Sequence, residues 1–146
     1  MIQGEGASRL LRPLALRCLA NPQGLALVAN KGGATSVFVC EGAENRVLRY
    51  TQRPVGVWHG AVFFTFTGRL GPCALVADSV RGLLYVARPE LPGHAQGVIS
   101  VLSLGGELLK EIETPGSDVS ALVLSPDGSK LYVADSATNS VFSLLL

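Results

Sequence analysis

Charge is scarce in this sequence, and so are the residue types that most often carry chemistry. Lys, Arg, Asp and Glu make up 16% of the 146 residues, the net charge is +1, and no Lys/Arg-rich run is interleaved with aromatics. The electrostatic footprint of a nucleic-acid partner is therefore missing. Cysteines are few: Cys18, Cys40 and Cys73 are an odd number, with neither a CxxC nor a paired spacing. That argues against a disulfide framework and a zinc site, and for reduced thiols held mostly in the interior. The only histidines, His59 and His94, stand alone, and there is no G-x-S-x-G, P-loop or H-E-x-x-H. Nucleophile-elbow hydrolysis, P-loop phosphate binding and zinc proteolysis have nothing to start from. No apolar run reaches the length of a membrane span, which removes a membrane partner. No hydrophobic signal core opens the chain, so we expect the cytoplasm; the acid-free Arg/Leu/Ala stretch Ala7–Ala20 keeps a transit peptide as the other reading. A sustained 3.6-residue apolar period is also lacking, so helix should be almost absent.

What is abundant is apolar residues, 48% of the chain, enough to bury one domain's core. They come in copies. Ala26-Leu27-Val28, Ala74-Leu75-Val76 and Ala121-Leu122-Val123 each open a unit of about 47 residues. Val37-Phe38-Val39, Leu84-Tyr85-Val86 and Leu131-Tyr132-Val133 follow at intervals of 47. The last unit reads most plainly: an apolar strand, the turn Ser125-Pro126-Asp127-Gly128, a second strand at Leu131–Ala134, a polar loop Asp135–Asn139, and a third strand at Ser140–Leu144. In the middle unit, Glu107–Thr114 adds a fourth strand after Gly105-Gly106, and Ala61–Thr67 does so in the first. Four-stranded antiparallel units at this period are β-propeller blades. The fold class is therefore all-β, with blade 1 over residues 21–70, blade 2 over 71–116 and blade 3 over 117–146.

The stretch Ser125-Pro126-Asp127-Gly128-Ser129-Lys130-Leu131-Tyr132-Val133-Ala134-Asp135-Ser136 resembles the repeat of NHL-type propellers. It also resembles the superfamily of gluconolactonase, senescence marker protein and strictosidine-synthase-like proteins. Asn45-Arg46-Val47 and Asn139-Ser140-Val141 match that family's opening of a third strand, and Pro22-Gln23-Gly24-Leu25-Ala26 matches its lead into an inner strand. The resemblance covers about residues 21–146 and implies a ring that commonly has six blades.

Three blades are half of such a ring. The third unit stops after its third strand, and residues 1–20 precede blade 1 where an outer strand would stand. One expectation is a homodimer closing a pseudo-six-bladed ring, with that N-terminal strand completing the partner's third blade. The other is a piece of a longer propeller. Charge is consistent with the first: residues 1–73 hold eight basic and three acidic side chains, residues 74–146 four and eight.

Propellers bind ligands at the mouth of the central channel, on loops joining strand two to three and strand four to the next inner strand. Those loops carry Asn21, Gln23, Glu41, Glu44, Arg88, Glu90, His94, Asp118, Asp135 and Asn139. Of these, Gln23, Glu41, Arg88, His94, Asp118, Asp135 and Asn139 are the candidate ligand-binding residues, for a small molecule or a protein. Glu41, Asp118 and Asp135 could supply oxygens to Ca²⁺ or another divalent cation. Glu41, Arg88 and Asp135 hold equivalent positions after each second strand, where capping or ion pairing is the competing reading. The resemblance implies a metal held by Glu, Asn and Asp and, through it, lactone hydrolysis. Gln23 stands where that family's motif has Asn. The leading expectation is a binding scaffold, the alternative a metal-dependent lactonase.

Overall fold

Each sequence unit becomes one antiparallel sheet. The computed structural model describes residues 13–29, 32–53 and 56–146. Blade 1 contains β1 (Pro22–Ala29), β2 (Thr35–Glu41), β3 (Arg46–Gln52) and β4 (Trp58–Thr65), hydrogen-bonded in that order. Blade 2 repeats the meander with β5 (Ala74–Asp78), β6 (Leu83–Arg88), β7 (Val98–Ser103) and β8 (Leu108–Glu113). Blade 3 has β9 (Val119–Leu124), β10 (Lys130–Asp135) and β11 (Ser140–Leu145). Among the described residues the only helical segment is a 3₁₀ turn, Gly42–Glu44.

Local chemistry sets the hairpins. Asp78 closes β5, and its Oδ1 accepts the N–H groups of Val80 and Arg81 at 3.0 Å each. Asp127 does the same work before β10, its Oδ1 accepting Ser129 N–H at 3.0 Å. Gly82 and Gly128, at φ +69° and +70°, supply the left-handed residue each turn needs. Asn45 and Asn139 sit at φ +53° and +50° before β3 and β11, a conformation Asn tolerates better than most residues.

Strand pairing corrects one detail of the repeat. Leu75 stands opposite Val86 and Leu122 opposite Val133, whereas in blade 1 Leu25, not Leu27, stands opposite Val39. The first hairpin is longer: Leu27 pairs with Val37, ten positions on, while Ala77 pairs with Leu84, seven on. The match through Ala26-Leu27-Val28 is thus two residues out of structural register. A shift of two preserves the pleat, so the same faces point the same way.

Packing occurs face to face between blades. Val28, Phe38, Cys40 and Val47 meet Leu75, Leu84, Val86 and Leu102 between blades 1 and 2, with Phe63 edge-on to Phe38 at 4.9 Å. Ala74, Tyr85, Ala87, Ile99 and Val101 meet Val119, Leu131 and Val133 between blades 2 and 3. Each large apolar side chain so buried contributes about 1.5–3 kcal/mol. Arg81 bridges blades 2 and 3 at the turn end, its Nη1 donating to Asp78 Oδ2 at 2.8 Å and to Gly128 O at 2.5 Å.

An inner strand with a blade on each side is covered on both faces, and β5 is buried or half-buried along its length. Leu25 and Leu27 on β1 are each 65% exposed, and Val123 on β9 is 56% exposed, because no blade lies beyond them. The outer strand expected within residues 1–20 falls partly on residues 1–12, which lie outside the described residues. Residues 13–20 form no strand. They cross the outward side of blade 1, where Leu14, Ala15 and Leu19 pack on Val39, Leu48 and Tyr50.

Candidate binding site at the blade mouth

The segments leading into β1, β5 and β9 lie at one end of the fan, together with the loops that follow β2 and β6. They enclose a concavity of about 470 Å³ lined by Asn21, Gln23, Gly42, Ala43, Arg69, Leu70, Gly71, Cys73, Pro89 and Asp118. The carboxamides of Asn21 and Gln23 converge over Gly42, each with its nitrogen 3.3 Å from where a Cβ would stand on that glycine. Among the described residues, the side chains of Asn21, Gln23, Arg69 and Asp118 make no hydrogen bond or ion pair with the protein. Of the residues singled out in the sequence, Gln23 and Asp118 both line this concavity. Arg69 was missed, although its place in the loop between the fourth strand of blade 1 and β5 was available as a signal.

Glu41, Arg88 and Asp135 occupy equivalent places and serve the fold. Glu41 is buried, accepts Ala20 N–H at 2.8 Å on Oε1, and is ion-paired through Oε2 with the Arg46 guanidinium. That hydrogen bond from Arg46 holds its carboxyl below the usual carboxylate range against the opposing effect of burial. Arg88 Nη2 donates to Thr67 O at 2.7 Å, Nη1 pairs with Glu111 at 2.7 Å, and its guanidinium carbon lies 4.7 Å from the Phe66 ring centre. Asp135 is buried, with Oδ1 accepting Thr138 N–H at 3.0 Å. Its carboxylate lies against Gly116, where a Cβ would fall 2.3 Å from Oδ1. In each blade the last residue of the second strand thus meets the segment that leads into the blade: Ala20, Thr67 or Gly116.

The remaining candidates lie elsewhere. His94 is exposed in the loop after β6, where its N–H donates to Leu91 O at 3.1 Å. Asn139 is an exposed turn residue and Glu44 an exposed residue of the 3₁₀ turn. Glu90 Oε1 accepts Leu91 N–H. The donor set fits a metal poorly: Glu41 is committed to Arg46, and no group of three His, Cys, Asp or Glu suited to an ion gathers among the described residues. Cys73 lies at the mouth with its thiol donating to Val119 O at 2.8 Å, and burial pushes it up to about 11. Little thiolate forms at neutral pH, so it is a poor nucleophile.

No protein-family model and no curated protein matches the chain. Solved structures do. The chain is similar to a gluconolactonase from Xanthomonas campestris (TM-score 0.67, 21% identity, 88% of this chain and 38% of that one). It is similar to the calcium-binding protein regucalcin from Agrobacterium tumefaciens (0.65, 20%, 84% and 45%). A WD40 β-propeller domain also matches (0.58, 16%, 84% and 38%). The chain is therefore built of β-propeller blades, and gluconolactonase and regucalcin are among its structural neighbours, in agreement with the resemblance carried by residues 125–136. It spans about two fifths of the length of the structures it matches.

Proposed function

We propose that this chain is an NHL-like propeller scaffold that binds a small hydroxyl- or carboxylate-bearing ligand at the blade mouth. One observation carries the reading: a concavity of about 470 Å³ to which all three blades contribute, into which two carboxamides, a guanidinium and a carboxylate bring unused hydrogen-bonding capacity. A volume of a few hundred Å³ with a few convergent polar groups suits a small molecule. Asn21 and Gln23 can each donate and accept, Arg69 can clamp a carboxylate with two parallel N–H groups, and Asp118 can accept a hydrogen bond from a hydroxyl. The three unpaired thiols fit a reducing compartment, and we take the cytoplasm as the site of action. The reading assigns binding and no reaction: of the carboxylates that lactone hydrolysis would draw on, Glu41 is ion-paired with Arg46, and Asp135 is buried, with Oδ1 accepting Thr138 N–H and Oδ2 without a partner among the described residues.

A thermal-shift screen of polyols, sugar acids and lactones, with and without Ca²⁺, tests it. A ligand at 100 times its Kd should stabilise by about 2.7 kcal/mol. We expect that gain for a hydroxy-acid ligand without added metal, and its loss in Arg69→Ala and Gln23→Ala. A shift that survives both substitutions, or no ligand-dependent shift in the wild-type chain, would overturn the assignment.

A further inference from the structure

The two ends of the fan carry matching faces, and blade 2 shows what each is built to meet. Toward blade 3, blade 2 presents Ala74, Val76, Tyr85 and Ala87, and Tyr85 is only 2% exposed beneath that neighbour. Blade 3 presents the same series outward: Ala121 opposite Ala134 and Val123 opposite Tyr132, as Ala74 stands opposite Ala87 and Val76 opposite Tyr85. There Tyr132 is 37% exposed, Val141 71% and Leu145 76%. Toward blade 1, blade 2 presents Leu75, Leu84 and Val86. Blade 1 carries Leu25, Val37 and Val39 in those places on its own outward side, with Leu25 bare and Val39 covered by residues 13–20. One end of the chain is thus a donor face and the other its receptor, in the chemistry that already joins blade to blade inside the molecule.

Charge has the same polarity. The receptor end lies in the half with eight basic and three acidic residues, and the donor end in the half with four and eight. A second copy of this chain offers both complements at once.

We infer that blade 3 of one copy seats on blade 1 of a second, twice, closing a two-fold ring of six blades, and that residues 13–20 are a displaceable cover on the receptor face. The cover occupies Val39, Leu48 and Tyr50, the strip an incoming blade would take, so closure and cover compete for one surface. Ring closure is independent of the ligand assigned above, and its readout is mass rather than ligand binding.

Sedimentation equilibrium of the full chain tests it. Undocking the cover with Leu14→Ser and Leu19→Ser should tighten the dimer about tenfold, a shift of one decade in Kd. Val123→Glu on the donor face, or Leu25→Lys on the receptor face, should each give a folded monomer by circular dichroism, since both positions are exposed. Mixing these two variants should restore a dimer, because one interface then pairs Glu with Lys and the other is wild type. Three results would overturn the inference: a dimer that persists in Val123→Glu; open-ended oligomers; or a monomer in both the wild-type and undocked chains at about 100 μM, where a micromolar complex would be saturated.

Discussion

Single carboxylates hold this fold at its corners, and their ionisation has a measurable consequence. Glu41 is held low by Arg46, and Asp127 is lowered to about 2 by hydrogen bonds from Ser125 and Ser129. At Asp78 burial works against ionisation but is outweighed by the Arg81 N–H, the Arg81 guanidinium and the Val80 N–H, so it too is lowered. A carboxyl depressed in the folded state contributes stability above its unfolded value of about 4, and that contribution is lost as pH falls through the folded value. The urea midpoint should therefore be flat from pH 7 to about 5 and fall steeply from about pH 4 to about pH 2. Glu41→Gln should lose about 1 kcal/mol at pH 7, modest because Arg46 is partly exposed, and should show a shallower acid limb. The same residue marks how far sequence could see. Equivalence placed Glu41, Arg88 and Asp135 at one end of the blades, but not which way each side chain turns, and all three turn onto the backbone leading into their own blade. Gln23 and Asp118 were legible because they lie on those lead-in segments themselves.

The strands were readable because short apolar runs repeat every 47 residues and turn residues separate them, as at Ser125–Gly128 followed by Leu131–Ala134. Blade 1 departs from its copies where local chemistry varies: a hairpin longer by three residues slides β1 by two against the sequence match. The segment 13–20 has no alternation to read, and its place comes from the apolar face it covers. Blades 1 and 2 approach closely at Gly24, whose N–H donates to Cys73 O at 3.0 Å and where a Cβ would fall 2.7 Å from Ala74 Cα. Nothing at that point can yield except the backbone of β5. Gly24→Ala should thus push blade 1 from blade 2 and destabilise by about 1–3 kcal/mol, visible as a lower urea midpoint. An unchanged midpoint would show that the blades are not in that contact.

On the scale of the molecule, each blade touches only its neighbours, so stability is a sum of blade terms and interface terms. Among the described residues blade 2 alone is packed between two other blades, with Leu84, Val86 and Leu102 toward one neighbour and Tyr85, Ile99 and Val101 toward the other. Native-state hydrogen exchange should accordingly be slowest in β5, β6 and β7 and faster in β11, whose outer edge is unpaired among the described residues. Equal protection across the three sheets would mean that the fan unfolds as one unit.

The doubly packed middle blade has a further meaning. Within one copy it makes the described fan an arch with its keystone inside. A load placed on either end blade is carried inward through one interface only. Damage to an end blade would leave a folded pair, whereas damage to blade 2 would leave two single sheets, each with its apolar face in water.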